Sequence, residues 1–186
     1  MTEIGRSYGG ALYALARDEQ LSEQILRELE LLRGAFTENE DFVRLLASPA
    51  LPKKERVAIL DESFAGSVHP YTLNFLKILT ENGTIREFSS CVSEYRRQYH
   101  ADHGILPVTA VTAIPLTETL RTRLCEKLAA VTGKKIELHE RVEPGALGGI
   151  RLQTDGTMLD GTARKRLDDL RAFLKRTVLS DTQEAP

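Results

Sequence analysis

The chain has 186 residues, of which 41% are apolar and 28% charged, ordinary proportions for a soluble globular protein of one domain or two small ones. Its net charge of −2 argues against a general nucleic-acid binder, which carries a basic surplus. No uninterrupted apolar run approaches the roughly 20 residues that span a bilayer, so any membrane association goes through partners.

Residues 1–104 read as helical throughout. "ALYALARDEQ" places Leu12, Leu15 and Ala16 on one face of a first helix. "LSEQILRELELLRGAF" spaces Leu21, Ile25, Leu29 (or Glu28) and Leu32 by three and four, the mark of a core-facing stripe, with Asp18 as its expected cap. "ENEDFVRLLASP" predicts a short helix stopped by Pro49. "LPKKERVAILDESFAG" starts after Pro52, a residue tolerated in a first helical turn, and ends at Gly66. "HPYTLNFLKILTENG" runs from Pro70 to Gly83, and "TIREFSSCVSEYRRQYHADHG" from Thr84, an expected N-cap, to Gly104. Six helices with short connections suit a compact bundle.

The period then changes. "ILPVTAVTAIPL" is rich in β-branched residues and reads as a strand. Thr117 opens a helix through Val131 with Leu120, Leu124 and Leu128 spaced by four. "KKIELHERV" and "GGIRLQT" alternate, and "TMLD" is a brief strand. "GTARKRLDDLRAFLKRTVL" is an amphipathic helix with Leu167, Leu170, Leu174 and Val178 inward, followed by a polar tail. The fold expected is α+β: a six-helix bundle over 1–104, then a small βαβββα domain over 105–186. Charge supports that boundary. Residues 1–104 hold 12 basic and 16 acidic side chains, residues 105–186 hold 13 and 11.

Several stretches invite a chemical reading. "TDGTMLDGTARKR" has the glycine spacing of a phosphate-cradling loop in Gly156 and Gly161, but Thr162 and Ala163 stand where that loop needs Lys and a hydroxyl. A hairpin turn at Asp155-Gly156, with Asp160 or Thr162 capping the last helix, accounts for it better. "GALG", Gly145 to Gly148, matches the GxxG clamp of KH-type RNA-binding domains, yet it joins two predicted strands where that clamp joins helices. His100 and His103 could share a helix face but lack a third ligand, so they read as a solvated pair and no metal is expected. Cys91 and Cys125 make neither a disulfide framework nor a zinc site and are expected to pack in helices. The start, MTEIGRSYGG, lacks the apolar core of a signal peptide. No nucleophile–base set is recognisable, so neither catalytic residues nor a cofactor are expected. What remains are apolar residues covering more than one stripe of the first and fifth helices, which suit either a central place in the bundle or a groove for a partner's amphipathic helix, and a basic run on the last helix that reads as a solvated face or one meeting an acidic partner or anionic membrane surface.

"YGGALYALA", "LASPALPKKER", "NFLKILTENG", "VTAVTAIPLT" and "VEPGALGGIRLQTDGTMLDGTARKRLDDL" occur in order along the chain. With these the chain resembles the delta subunit of bacterial and chloroplast rotary ATP synthases, the oligomycin-sensitivity-conferring protein of mitochondria. The resemblance implies a non-catalytic stator subunit. The bundle would bind N-terminal helices of the catalytic head's α subunits, and the C-terminal domain would receive the stalk's b subunits. It also implies a peripheral place at the cytoplasmic face of the bacterial plasma membrane, held there by the complex. Carried over by position, the α-subunit groove would comprise Tyr8, Ala11, Leu12 and Leu15 with Asn74, Phe75, Lys77 and Ile78. The family's first motif usually has Ala-Lys where Gly9 and Gly10 stand here, and helix-interior glycines cost on the order of 1 kcal/mol each. The alternative reading is an RNA- or nucleotide-binding protein using the C-terminal domain.

Overall fold

The computed structural model describes residues 2–144, 149–154 and 157–160. The chain is mostly helical with a small mixed sheet, and it divides into two compact units between His103 and Gly104. The first unit comprises α1 (Glu3–Asp18), α2 (Ser22–Glu38), α3 (Glu40–Leu46), α4 (Lys53–Phe64), α5 (Pro70–Glu81), a 3-10 turn (Ile85–Glu87) and α6 (Phe88–Asp102). The second contains β1 (Ile105–Thr112), α7 (Glu118–Thr132), β2 (Lys135–Val142), β3 (Ile150–Thr154) and β4 (Thr157–Asp160).

Helix α1 starts at Glu3 because the Thr2 side chain accepts the Gly5 N–H at 3.2 Å, satisfying one of the amides that a helix start leaves unpaired. Gly9 and Gly10 therefore lie well inside it, and packing explains them. A Cβ on Gly9 would stand 2.3 Å from the Cys91 carbonyl oxygen of α6, and one on Gly5 would stand 2.5 Å from Ser90 Cβ. The two glycines, one turn apart, let the α1 backbone lie directly on α6. Tyr13 and Ala16 continue that seam, with the Tyr13 ring edge-on to Tyr95 at 5.2 Å. Around this pair a core forms from Ile25, Leu29, Leu32 and Phe36 of α2, Leu46, Leu60, the α5 residues Phe75, Leu76 and Leu79, and Phe88 and Val92 of α6. Leu29 takes the core position; Glu28 does not.

Two expected caps are replaced. Asp18 ends α1 and does not cap α2; the link turns at Gln20 in the left-handed region (φ 59°), and Leu21 stands at the N-cap without a side-chain bond. Thr84 precedes the 3-10 turn, so α6 begins only at Phe88, and the Thr84 hydroxyl instead donates back to the Leu79 carbonyl at 3.3 Å.

Charge is buried at the α1–α6 seam. Glu94 of α6 is 1% exposed, and its carboxylate accepts from Arg97 Nε (2.9 Å), Arg97 Nη2 (2.7 Å) and Gln98 Nε2 (2.8 Å). The Arg97 bonds hold its pKa below the usual carboxylate value against the upward push of burial; Gln98 and the charge of Arg6 on α1 add to the lowering. Gln98 occupies the space over Gly10, where a Cβ would come within 2.8 Å of Gln98 Nε2.

In the second unit the sheet order is β2-β1-β3-β4. β1 runs parallel to β2, a pairing that requires a crossover connection, and α7 supplies it. β1 pairs antiparallel with β3, and β3 with β4. The β1 residues Val108, Ala110 and Val111 are buried. Thr117 caps α7 as expected, accepting the Leu120 N–H. The inward stripe expected on α7 is weaker than its spacing suggests: Leu124 and Leu128 are half-buried and Leu120 is exposed. Thr154 pairs with Thr157, which leaves a two-residue connection. The hairpin residues Asp155 and Gly156, the GALG stretch and the last helix with its Leu167, Leu170, Leu174 and Val178 lie outside the described residues.

Gly9→Ala is expected to destabilise the full chain by about 1–3 kcal/mol, because rigid backbone of α6 blocks the new methyl and overpacking outweighs the gain in helix propensity. Gly10→Ala meets only the movable end of Gln98 and is expected to be neutral or stabilising by up to about 1 kcal/mol. Urea unfolding followed by circular dichroism separates the two. For Glu94 the lowered folded pKa means that its contribution is present above the unfolded glutamate pKa of about 4.3 and lost as pH falls through the folded value. Glu94→Gln should therefore flatten the fall of the melting temperature in acid relative to the unaltered chain.

Candidate functional site

With Gly5, Gly9, Tyr13 and Ala16 turned to α6, the next stripe around α1 is Tyr8, Ala11, Leu12 and Leu15, spaced by three, one and three. On α5 the buried residues Thr72, Leu76, Leu79 and Thr80 hold one side of the helix. The other side carries Tyr71, Asn74, Phe75 and Ile78. These eight residues line a groove of about 390 Å³. Its floor is Leu12 and Phe75, each 6% exposed. Leu15 and Ile78 are 42% and 44% exposed, so a large aliphatic side chain on each helix stays in water. Apolar surface is here gathered in one groove between two helices, unlike leucines exposed singly over a surface. Asn82 at the α5 C-cap donates from Nδ2 to the Tyr8 hydroxyl oxygen at 3.1 Å.

Seven of the eight residues expected from sequence meet in this groove: Tyr8, Ala11, Leu12, Leu15, Asn74, Phe75 and Ile78. Lys77 does not line it; its ammonium pairs with the Asp61 carboxylate of α4 at 2.6 Å. Tyr71 takes the remaining place. Helical spacing carries the signal for it, since Tyr71, Asn74 and Ile78 repeat by three and four, whereas Lys77 falls off that face.

The ends of α5 are tied down by side chains that the sequence reading overlooked. At its N-terminus the His69 imidazole Nδ1 accepts the Tyr71 N–H at 3.2 Å. Glu28, reaching from α2, accepts the His69 N–H at 2.9 Å and the Thr72 hydroxyl at 2.5 Å, placing negative charge at the positive end of the helix. Toward the C-terminus, the Arg56 guanidinium of α4 is buried and donates to the carbonyls of Leu46 at 3.0 Å and Thr80 at 3.3 Å. It thus serves the last turns of α3 and α5 together, where carbonyls lack intrahelical partners. No sequence spacing announces the Glu28 and Arg56 bonds, which join residues at least 10 positions apart; only the His69–Tyr71 cap is local.

The remaining candidates sort differently. His100 is buried, not solvated, while His103 stacks on the Tyr99 ring at 4.0 Å with its Nδ1 2.9 Å from the Tyr99 carbonyl. Cys91 is buried in α6, and burial pushes its thiol pKa up to about 11, the opposite of an activated nucleophile. Cys125 lies half-buried in α7. Between Gly156 and Gly161, residues Thr157–Asp160 form β4. A strand there replaces the loop that would have to wrap a phosphate, so the spacing of those glycines has no nucleotide-binding meaning. No described helix is long and apolar enough to cross a membrane.

Comparison with known proteins adds sequence and fold relationships. A family model described as the ATP synthase delta (OSCP) subunit matches residues 4–174. An ATP synthase subunit delta of Moorella thermoacetica is 31% identical over 173 residues, covering 93% of this chain and 97% of that protein. One of Lactobacillus gasseri is 33% identical over 173 residues, covering 92% and 94%. Among solved structures, a chain in the cryo-EM structure of the Toxoplasma gondii mitochondrial ATP synthase hexamer has a similar fold. Its TM-score is 0.70 at 20% identity, with 94% of this chain and 98% of that one covered.

The groove's floor and walls should respond differently to truncation. Leu12→Ala and Phe75→Ala are expected to cost about 2–5 kcal/mol of stability, as core deletions do. Leu15→Ala and Ile78→Ala should stay within about 0.5 kcal/mol of the unaltered chain, as surface changes do. Thermal unfolding of the four variants checks this.

Proposed function

The chain belongs to the ATP synthase delta (OSCP) subunit family, and on that premise we propose how its two units join the catalytic head to the peripheral stalk. It is a non-catalytic, structural subunit. In the proposed arrangement the first unit, read as a six-helix bundle, holds the N-terminal helix of an α subunit of the head in the α1–α5 groove. The second unit, read as a βαβββα domain, receives the end of the b-type stalk subunits. The subunit sits peripherally at the cytoplasmic face of the membrane through the complex alone.

The observation that carries this reading is the pairing of a buried apolar floor with exposed aliphatic walls between two antiparallel helices. That geometry suits an amphipathic helix seated by anchors three and four residues apart. From Tyr8 to Leu15 the groove follows seven residues of α1, or roughly 10 Å at 1.5 Å per residue, about two turns of a seated helix. Leu15 and Ile78 are already more than half buried, so covering the remainder would release about 1 kcal/mol each. Apolar contacts of this kind hold without salt-sensitive charge pairs, which suits a joint that resists the torque of the rotor and so keeps rotation coupled to ATP synthesis. The phosphate-loop reading of the C-terminal unit draws no support from β4, which occupies the interval between Gly156 and Gly161.

Titrating the full chain with a peptide of the α-subunit N-terminus, followed by calorimetry, tests the groove. Binding is expected at micromolar concentration or tighter. Leu15→Glu and Ile78→Glu should each weaken it at least about tenfold, a loss of about 1.4 kcal/mol, with the melting temperature preserved. Lys77→Ala should leave the affinity unchanged. Normal binding by both folded glutamate variants would mean that the peptide sits elsewhere.

A further inference from the structure

The groove's two walls belong to helices that share the core through Leu12 and Phe75 but rest on different neighbours. α1 is seated on α6, and α5 on α4, but α1 and α5 approach each other only loosely. Leu12 and Phe75, in the shared core, set where the walls stand at the floor; above it, at the rim, the width depends on what spans the groove. One polar bond does so: Asn82 Nδ2 donates to the Tyr8 hydroxyl oxygen at 3.1 Å, 74 positions away in the chain. Tyr8 lines the groove; Asn82 stands just past the end of α5, at its C-cap. The helices run antiparallel along the groove, so this bond closes the end where α1 begins and α5 finishes. Leu15 and Tyr71 flank the other end.

We propose that Tyr8 and Asn82 form a strut that sets the width of the α1–α5 groove and closes one end of it, making both positioning residues for the seated helix. This rests on the reading of the groove as a helix-binding site. The physical reason is preorganisation. A groove held open at the bound width spares the partner the cost of ordering two helices against each other, and a closed end admits one register of the seated helix. The chemistry of the strut is suited to that task. The phenol ring contributes apolar surface to the groove wall while its hydroxyl reaches the polar rim, as tyrosine does at interfaces. The Asn82 carboxamide lies on the exposed C-cap, and its backbone N–H already serves the Ile78 and Thr80 carbonyls, which fixes where its side chain starts.

A double-mutant cycle with the same α-subunit peptide tests the strut. Tyr8→Phe keeps the ring and removes the hydroxyl; Asn82→Ala removes the carboxamide. Each should weaken binding about three- to tenfold, the range of one exposed hydrogen bond, and the double variant should be no weaker than either single one. Unchanged affinity, or losses that simply add, would overturn the proposal. A second measurement on the full chain needs no peptide. With Cys125 replaced by Ser and spin labels at the exposed positions Ser7 and Glu81, the distance distribution between α1 and α5 should be narrow. Tyr8→Phe and Asn82→Ala should broaden it equally, with melting temperatures preserved. An unchanged distribution would overturn the strut. If the unaltered chain fails to bind the peptide while the distribution broadens as expected, the strut stands and the assignment of the groove to that partner falls.

Discussion

The contact on which the first unit depends is the backbone-to-backbone approach of α1 onto α6. Gly5 and Gly9 permit it; any Cβ at Gly9 would lie against the Cys91 carbonyl. Helix-interior glycine is normally a loss of order 1 kcal/mol, and here it is offset by what the approach allows. Tyr13 reaches Tyr95 and ties to Asp102 through its hydroxyl at 2.8 Å; burial first, and then that bond, push the phenol pKa up to about 12. Once α1 is fixed rotationally by that seam, its next stripe has no freedom of direction. Leu12 turns to the core, and Leu15 is left at the surface facing α5. The groove is thus a consequence of how α1 is seated.

Fixing α5 is a task for charge. Glu28 and His69 serve its first amides, and Arg56 serves carbonyls near its end and at the end of α3. Buried or half-buried ionic groups add little net stability unless they are well paired, but they specify geometry, and removing one partner strands the other. Glu28 and Arg56 act at helix ends, where unsatisfied backbone groups are waiting. α5 is therefore held at both ends, which leaves its middle face to be decided by packing alone. Two helices, each fixed by a different device, face each other across an apolar trough, and a single exposed hydrogen bond spans it.

The second unit shows how a spacing can mislead. Gly156 and Gly161 are placed as a phosphate loop would place them, yet β4 fills the interval and pairs with β3 through Leu152 and Leu159. A loop that wraps a phosphate needs free backbone amides turned inward, and a strand gives those amides to its neighbour. The absence of the lysine and hydroxyl at Thr162 and Ala163 pointed the same way.

Period and punctuation in the sequence were enough to determine that helices precede a strand-rich segment, that Pro70 and Thr117 mark helix starts, and that α1 and α5 are apolar over more than one stripe. These are local properties, set by side-chain spacing and by backbone limits within a few residues. The resemblance to the family, carried over by position, brought Tyr8, Ala11, Leu12, Leu15, Asn74, Phe75 and Ile78 to notice. What spacing could not decide was which of them would be floor and which wall, or why Gly9 stands where it does. Nor could it show that Glu28 and Arg56 would serve helices far from their own, that His100 would be buried, or that Leu120 would remain exposed. Those outcomes depend on how far one helix is rotated against another, and only the packing of the whole unit sets that angle.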